Sequence, residues 1–348
     1  MHMKIHTYIH AIQMTSLPFD DKPWTKRVLL VGCLWLFLFP GLLRAQMEPM
    51  YSQYIFNNTV INPAQAGASE QNQFGMLTRY QWLGFDNSPR TQSAYANLQL
   101  PRQMGLAVGI YQDKLGPEVR LQLQTDLAYH ATLSDTWRLA GGVRLAMTSL
   151  RVALTDIPNV DQGDPMLVED LKSGLLLNVG AGLLAYNDQS FIGLSMPRVF
   201  KSLAEVLVSQ IGNRNPDAAI LEKLPRQLVA YGGTNLPLTD EIQFMPSALF
   251  RIGPGSPTQI DINTVFGYAD LLDFGPLVRS NLIDRNNYLE AVGFIVGIRF
   301  LPNLYFGYVY EYPLTSLNVV TLQSHEISLR LLLNPRQDRQ IGSPRYFL

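Results

Sequence analysis

Histidine and cysteine, the side chains that most often carry catalysis or bind metals, are nearly absent from this sequence. Three of the five histidines lie within the first ten residues, so only His130 and His325 remain in the body of the chain. These two fall on separate predicted strands, and the single cysteine, Cys33, lies near the N-terminus. A structural zinc site needs about four ligands close together, and a serine hydrolase needs a base beside its nucleophile. We therefore predict no catalytic residue, no metal ligand, no cofactor and no enzymatic activity.

One short motif matches a nucleotide-binding pattern. The stretch Gly180–Ala185 reads Gly-Ala-Gly-Leu-Leu-Ala, which fits the dinucleotide fingerprint G-x-G-x-x-A. That fingerprint binds phosphate only where a strand turns into a helix, whose first amides then face the ligand. Here the motif lies inside a glycine-rich predicted strand, and Asn187-Asp188-Gln189 then leads into another strand. The pattern favours alternating small residues in a sheet wall over a nucleotide site.

Charged residues on the polar face of predicted strands are the remaining candidates for function. We expect six of them to face the inside of a barrel, and two interpretations of the set stay open. The charges could pair with one another and brace a narrow, filled barrel, or they could form a binding surface for a translocating or docked polypeptide. The six residues are Arg120, Asp126, Arg138, Arg144, Glu326 and Arg330.

The stretch Glu118–Leu133 shows which element positions these charges. Its odd positions are nearly all apolar, and its even positions are nearly all polar or charged. Because successive side chains on a strand point to opposite faces, this alternation predicts one apolar and one polar face over sixteen residues. Most strands of soluble proteins are shorter, at about three to ten residues. A long strand of this kind is typical of a membrane-spanning barrel with a water-holding lumen.

The rest of the chain repeats such strands. We predict an all-β fold, an antiparallel up-and-down transmembrane β-barrel of the outer-membrane type with about 14 strands between residues 74 and 333. The connections alternate between very short and mostly longer ones, and the longest include a segment with helical spacing at 200–211. An even strand number returns both termini to the periplasm, with short turns there and long loops outside. The candidate strands are 74–81, 91–100, 104–113, 118–133, 137–151, 175–186, 190–196, 227–236, 242–252, 258–268, 270–279, 288–300, 304–312 and 324–333.

The two ends of the chain differ from its body. Residues 1–45 contain Lys26 and Arg27, an apolar run of sixteen residues and Ala45, which is typical of a secretory signal peptide that is removed. A transmembrane anchor is the weaker alternative, because a spanning helix needs about 20 apolar residues. Residues 46–73 are predicted to be an irregular, plug-like segment, and 334–348 a polar C-terminal tail.

Composition excludes other classes of partner and structure. A net charge of −1 and a pI near 6.5 indicate no nucleic-acid partner. A mean hydropathy of +0.03 is low for a bundle of membrane helices but suits a barrel, in which only every second strand residue must be apolar. The sequence carries no indication of an oligomeric state.

Several short motifs, taken in order, resemble a known family. The first are Ser-Gln-Tyr-Ile-Phe-Asn at 52–57, Asn-Pro-Ala-Gln-Ala-Gly at 62–67 and Trp-Leu-Gly-Phe at 82–85. Three later stretches, starting at Gly109, Gly193 and Tyr308, extend the match toward the C-terminus. The series resembles the PorP/SprF family of the type IX secretion system. The signature residues are Gln53, Tyr54, Phe56, Asn57, Asn62, Pro63, Ala64, Gly67, Trp82, Gly84 and Phe85.

The resemblance implies a function that composition alone does not. It implies a non-enzymatic β-barrel in the outer membrane of a Gram-negative, Bacteroidetes-type bacterium, surrounded by outer-membrane lipid. It further implies a role in type IX secretion and gliding motility, aiding export or surface attachment of secreted adhesin-like proteins, with other secretion components as partners. The alternative is a diffusion porin or small-molecule transporter on a similar barrel. A third, more distant reading is a soluble secreted β-protein.

Overall fold

The computed structural model describes the following parts of the chain: residues 52–55, 57–69, 71–84, 87–153, 170–173, 175–199, 226–253, 258–282, 288–314 and 323–333. The predicted signal peptide (1–45), the helical spacing at 200–211 and the C-terminal tail (334–348) lie outside these residues. Within the described stretches, we find no helix with the length and apolar character that a membrane span requires.

Fourteen strands of seven or more residues form one antiparallel sheet in the described part of the chain. Two further strands of two residues each, Leu171–Lys172 and Leu236–Pro237, pair at its margin. The strands are β1 (Asn72–Tyr80), β2 (Arg90–Leu100), β3 (Met104–Leu115), β4 (Glu118–Thr132), β5 (Arg138–Val152), β6 (Leu176–Tyr186), β7 (Ser190–Met196), β8 (Leu228–Thr234), β9 (Ile242–Ile252), β10 (Gln259–Tyr268), β11 (Leu272–Asn281), β12 (Leu289–Leu301), β13 (Leu304–Pro313) and β14 (Ser324–Leu333).

The sheet closes into a barrel. Each strand pairs with its neighbours in the sequence, and β1 pairs with β14 in a register that runs from Asn72 opposite Leu333 to Tyr80 opposite His325. Closure leaves no row of unpaired backbone N–H and C=O groups along a sheet edge, which is what a sheet in lipid requires. The predicted fold class, an antiparallel up-and-down barrel of fourteen strands, is confirmed.

The two ends of the barrel carry connections of different length. At one end, which we call the turn end, the connections between strands have two to seven residues: 101–103, 133–137, 187–189, 235–241, 269–271 and 302–303. At the other end, the loop end, the two longest connections span 153–175 and 197–227. Outer-membrane barrels have short periplasmic turns and longer extracellular loops, so this asymmetry orients the barrel.

The wall has an apolar outer face and a mostly polar inner face. On β4, Leu123 and Leu127 point outward with 39% and 40% of their surface exposed. Asp126 and His130, on the alternate positions of the same strand, are buried inside. The period-2 pattern of the sequence is therefore the pattern of burial, as strand geometry requires.

Candidate functional site

The chain segment that precedes β1 lies inside the barrel. We call Ser52–Ser69 the plug; its backbone forms three short 3-10 turns at Ser52–Ile55, Asn58–Val60 and Pro63–Gln65. The last turn starts after Asn62, whose side chain accepts a hydrogen bond from the amide of Ala64 (2.8 Å), and Pro63 occupies its first position. Residues Ile61–Ser69 are all buried.

Three wall glycines make room for the plug. At each of them, a methyl group on the α-carbon would overlap with plug atoms, and at two of them the atoms are backbone. Backbone atoms cannot rotate out of the way as the end of a flexible side chain can. A residue larger than glycine at these wall positions would therefore force the plug to move. Gly182 belongs to the G-x-G-x-x-A stretch, which here serves packing inside strand β6. The contacts are Gly105 with Ala66, Gly142 with Ala64 and Gly182 with Asn62.

Gly67 has a separate reason to be glycine. Its φ of +68° lies in the left-handed region, and a β-carbon there would also meet the backbone of Gly105. Its amide donates to Oδ1 of Asn97 on β2 (2.6 Å), which ties the end of the plug to the wall.

Hydrogen bonds from the wall hold the middle of the plug. Nδ2 of Asn62 donates to the carbonyl of Leu183 (2.9 Å), and Nε2 of Gln65 donates to the hydroxyl of Tyr231 (2.7 Å). Nε2 of His130 lies 2.7 Å from the carbonyl oxygen of Ala66. Each hydrogen bond gives a partner to a buried polar group, which has lost its hydrogen bonds to water.

A buried ion pair clamps the plug backbone from β4 and β5. The guanidinium of Arg144 donates to both carboxylate oxygens of Asp126, at 2.7 Å each. Its remaining donors contact the carbonyls of Val60 (2.9 Å) and Thr59. Asp126 is 0% and Arg144 4% exposed, so the ion pair is shielded from water. A buried ion pair is stabilising only when the remaining N–H groups of the guanidinium also have hydrogen-bond acceptors, which the plug carbonyls provide here.

A second charged cluster surrounds Ser52 near the loop end. The amide of Ser52 donates to Glu326 (3.0 Å), and its hydroxyl donates to Glu311. The same hydroxyl accepts from Arg79 (2.8 Å) and from Arg279 (3.2 Å). Arg79 also pairs with both glutamates, so the start of the plug is part of one network that joins β1, β11, β13 and β14.

Apolar side chains fill much of the remaining interior. Leu184, Leu249, Ile295 and Val309 all point inward with 1% or less of their surface exposed, and they belong to a cluster that includes the plug residue Tyr54. The alternation along β4 is typical of a barrel with a water-holding lumen, but the sequence left open whether that lumen is open or filled. Over the described residues, the interior contains a hydrophobic core and a plug, because inward positions of β6 and β9 to β13 include large apolar residues.

The six predicted inward charges differ in what they contact. Arg144 and Asp126 pair with each other, Glu326 joins the Ser52 cluster, and Arg120 donates to Glu118 (2.8 Å). Arg138, the first residue of β5, is half-buried. The guanidinium of Arg330 is buried and lies 4.5 Å from the ring centre of Tyr305.

The eleven signature residues lie in two parts of the chain, the plug range 52–69 and the segment 82–85 that follows β1. Tyr54, Asn57, Asn62, Pro63, Ala64 and Gly67 belong to the plug and are buried. The hydroxyl oxygen of Tyr54 accepts a hydrogen bond from Nδ2 of Asn263 (2.7 Å). Trp82 and Gly84 follow β1 with φ of 53° and 85°. Gln53 lies in the first 3-10 turn, where its side chain is outside the described part, as are Phe56 and Phe85.

Sequence reasoning missed four charged residues of the network around Ser52: Arg79, Asp261, Arg279 and Glu311. A signal for two of them existed. Asp261 alternates with Ile260 and Ile262, and Glu311 lies between two outward tyrosines, which is the inward parity in each strand. Their pairing with Arg279 (2.9 Å and 3.5 Å) could not be read from spacing, because it depends on the register of neighbouring strands.

Solved structures similar to this one include an outer membrane protein, a channel and a porin, all of low sequence identity. The outer membrane protein Omp33 of Acinetobacter baumannii is 9% identical, with a TM-score of 0.44 over 77% of this chain and 100% of that chain. The CymD monoaromatic hydrocarbon channel is 11% identical, with a TM-score of 0.46 over 84% of this chain and 95% of that chain. The KdgM porin is 6% identical, with a TM-score of 0.36 over 75% and 99%. No curated protein matches the sequence.

A family model described as type IX secretion system membrane protein PorP/SprF matches residues 43–331. The match includes the plug and all but the last two residues of the strand sequence. The predicted resemblance is thus confirmed over most of the chain. The protein is an outer-membrane β-barrel that belongs to the PorP/SprF family of type IX secretion system membrane proteins.

Proposed function

We propose that this protein is a closed, non-enzymatic component of the type IX secretion and gliding machinery, which aids export or surface attachment of secreted adhesin-like proteins. It sits in outer-membrane lipid through the apolar outer face of its barrel. Its partners are other components of the secretion system and the secreted surface proteins themselves. Family membership supports the link to secretion, and the interior of the barrel supports a closed form.

The occupied lumen is the observation that carries the proposal. A diffusion porin needs a continuous water-filled path, whose walls are polar. Here the plug is packed against wall glycines, bonded to β6 and β14 on opposite sides of the barrel, and flanked by an apolar cluster. Solute passage would require breaking the contacts of the plug with the wall residues Arg79 and Arg144. A static barrel of this form suits anchoring and docking better than diffusion.

The inward charges fit bracing more closely than the binding of a translocating chain. Arg144, Asp126, Arg79, Glu311 and Glu326 all have partners inside the protein, and several of those partners are in the plug. Charges already paired in this way are not available to a passing polypeptide without a cost of several kcal/mol, roughly 3–5 for breaking one buried pair. We therefore place partner contacts at the ends of the barrel rather than in its lumen.

Deletion of the gene tests the role in the cell. We expect loss of a subset of proteins from the culture supernatant and the cell surface, measured by quantitative proteomics of mutant and parent. Uptake of small solutes should be unchanged in the same pair of strains. Complementation with the wild-type gene is the control for effects on neighbouring genes.

The porin alternative predicts the opposite pattern. Normal secretion together with reduced solute uptake in the deletion strain would refute the proposal and favour a diffusion channel. Loss of both would show that the barrel is open in the cell, which contradicts the closed form proposed here.

A further inference from the structure

The plug has a direction, which its contacts with strand ends define. Its first residue, Ser52, bonds to side chains at the loop end of the barrel. Arg79 is one residue from the loop end of β1, Glu311 two residues from that of β13, and Glu326 two residues from that of β14. The plug therefore begins near the loop end of the barrel.

The last residues of the plug lie at the opposite end. The carbonyl of Ser69 accepts from the side chain of Gln99, one residue from the turn end of β2. Gly67 bonds to Asn97 on the same strand and packs on Gly105, the second residue of β3. The chain then enters β1 at its turn end.

Contacts between these points follow the same order. The carbonyls of Thr59 and Val60 meet Arg144, the seventh of the fifteen residues of β5. Further along, Asn62 bonds to Leu183 in the second half of β6, whose C-terminus is at the turn end. The plug thus crosses the lumen once, from the loop end to the turn end, without reversing.

We propose that the amino-terminal end of the mature protein lies on the outer surface of the cell, while its carboxyl end lies in the periplasm. The loop end faces outward by the connection lengths, and Leu333 ends β14 at the turn end. Because the number of strands is even, the start of β1 and the end of β14 both lie on the periplasmic side. The plug, which precedes β1, then leads back through the lumen to the outer side.

This topology assigns the two ends of the chain to different partners. A protein that recognises the chain before Ser52 must reach it from the cell surface, whereas one that recognises residues after Leu333 must be periplasmic.

Epitope accessibility on intact cells tests the topology. A tag of about 20 residues between Met47 and Glu48 can extend to roughly 66 Å. Because this exceeds the ~40–45 Å thickness of a bilayer, the tag is long enough to emerge from the barrel lumen and meet an antibody. We expect an antibody to bind this tag on intact cells. The same tag added after Leu348 should be detected only after the outer membrane is permeabilised. Detection of the first tag only after permeabilisation would overturn the proposal.

Cysteine labelling covers the case in which the tagged chain fails to assemble, as judged by heat-modifiable gel mobility. In a Cys33→Ser background the chain has no other cysteine, so Glu48→Cys reports a single site. A membrane-impermeant maleimide should label it on intact cells, as it should the exposed loop-end control Lys114→Cys. The exposed turn-end control Asp135→Cys should require permeabilisation. Glu48→Cys that is labelled only after permeabilisation, or not at all in the folded protein, refutes the proposal.

Discussion

Two adjacent glycines on β5 allow a sharp test of the plugged lumen. Gly142 faces inward, and an added methyl group would overlap with the backbone of Pro63 and Ala64. Gly141 faces outward, where the nearest atom to the same methyl group would be Cδ2 of Leu183 at 3.9 Å. Neither glycine has a left-handed φ, so alanine is compatible with both backbones. Gly142→Ala and Gly141→Ala are therefore the same chemical change on opposite faces of the wall.

The expected difference follows from packing. Alanine in a strand is favoured over glycine by about 0.5–1 kcal/mol, so Gly141→Ala should leave stability unchanged or raise it slightly. Overpacking a filled interior costs about 1–3 kcal/mol, so Gly142→Ala should lower the free energy of unfolding. Because the gain from replacing glycine in a strand is common to both variants, they should differ by the overpacking cost of about 1–3 kcal/mol. The displaced plug would also strain the bonds from Arg144 to the carbonyls of Thr59 and Val60.

Two measurements on protein refolded into lipid vesicles report these effects. Urea unfolding gives the difference in stability between the variants, and ion conductance reports whether the lumen has opened. We expect Gly142→Ala to unfold at lower urea and to show conductance events that wild type and Gly141→Ala lack. Equal unfolding midpoints and equal conductance for the two variants would show that Ser52–Ser69 does not pack against β5, and the reasoning about the lumen would be wrong.

Three further predictions concern the clamp, the outer face and one plug contact. Arg144→Met leaves Asp126 buried without its cation and should cost about 3–5 kcal/mol in urea unfolding, partly recovered by adding Asp126→Asn; no recovery would contradict the pairing. Leu123→Arg places a charge at mid-depth on the outer face and should cost about 2–4 kcal/mol, against about 0–1 for Leu133→Arg past the strand end; equal yields of heat-modifiable barrel would contradict a lipid-facing β4. Tyr231→Phe removes one hydrogen bond to the plug and should cost about 0.5–1.5 kcal/mol, whereas an unchanged unfolding midpoint would indicate that this bond does not stabilise the plug.

The barrel wall was predictable from the sequence because its signal is local. Alternation along Glu118–Leu133 predicted a strand that the structure ends at Thr132, and the wall predicted from 74 to 333 runs from Asn72 to Leu333. One face of each strand contacts lipid and must be apolar, so apolar residues recur at every second position whatever the neighbouring strands are.

The interior was less predictable because its contacts join distant parts of the chain. Asn62 and Leu183 are separated by 121 residues, and Arg79 and Glu326 by 247. The alternation of polar and apolar residues along a strand predicts which side chains face inward. It does not predict whether an inward side chain contacts water, the plug or the opposite wall of the barrel. Inward apolar residues such as Leu249 and Ile295 were the available sign that the lumen is filled.

Conductance of the wild-type protein in a planar bilayer tests the central claim most directly. A barrel filled by the plug and by the apolar cluster around Leu249 and Ile295 should show no steady single-channel current at moderate voltage. The Gly142→Ala variant, measured in the same membrane, should conduct and so demonstrate that the assay detects an opened lumen. A steady open channel in the wild-type protein would contradict the closed lumen and support a diffusion porin.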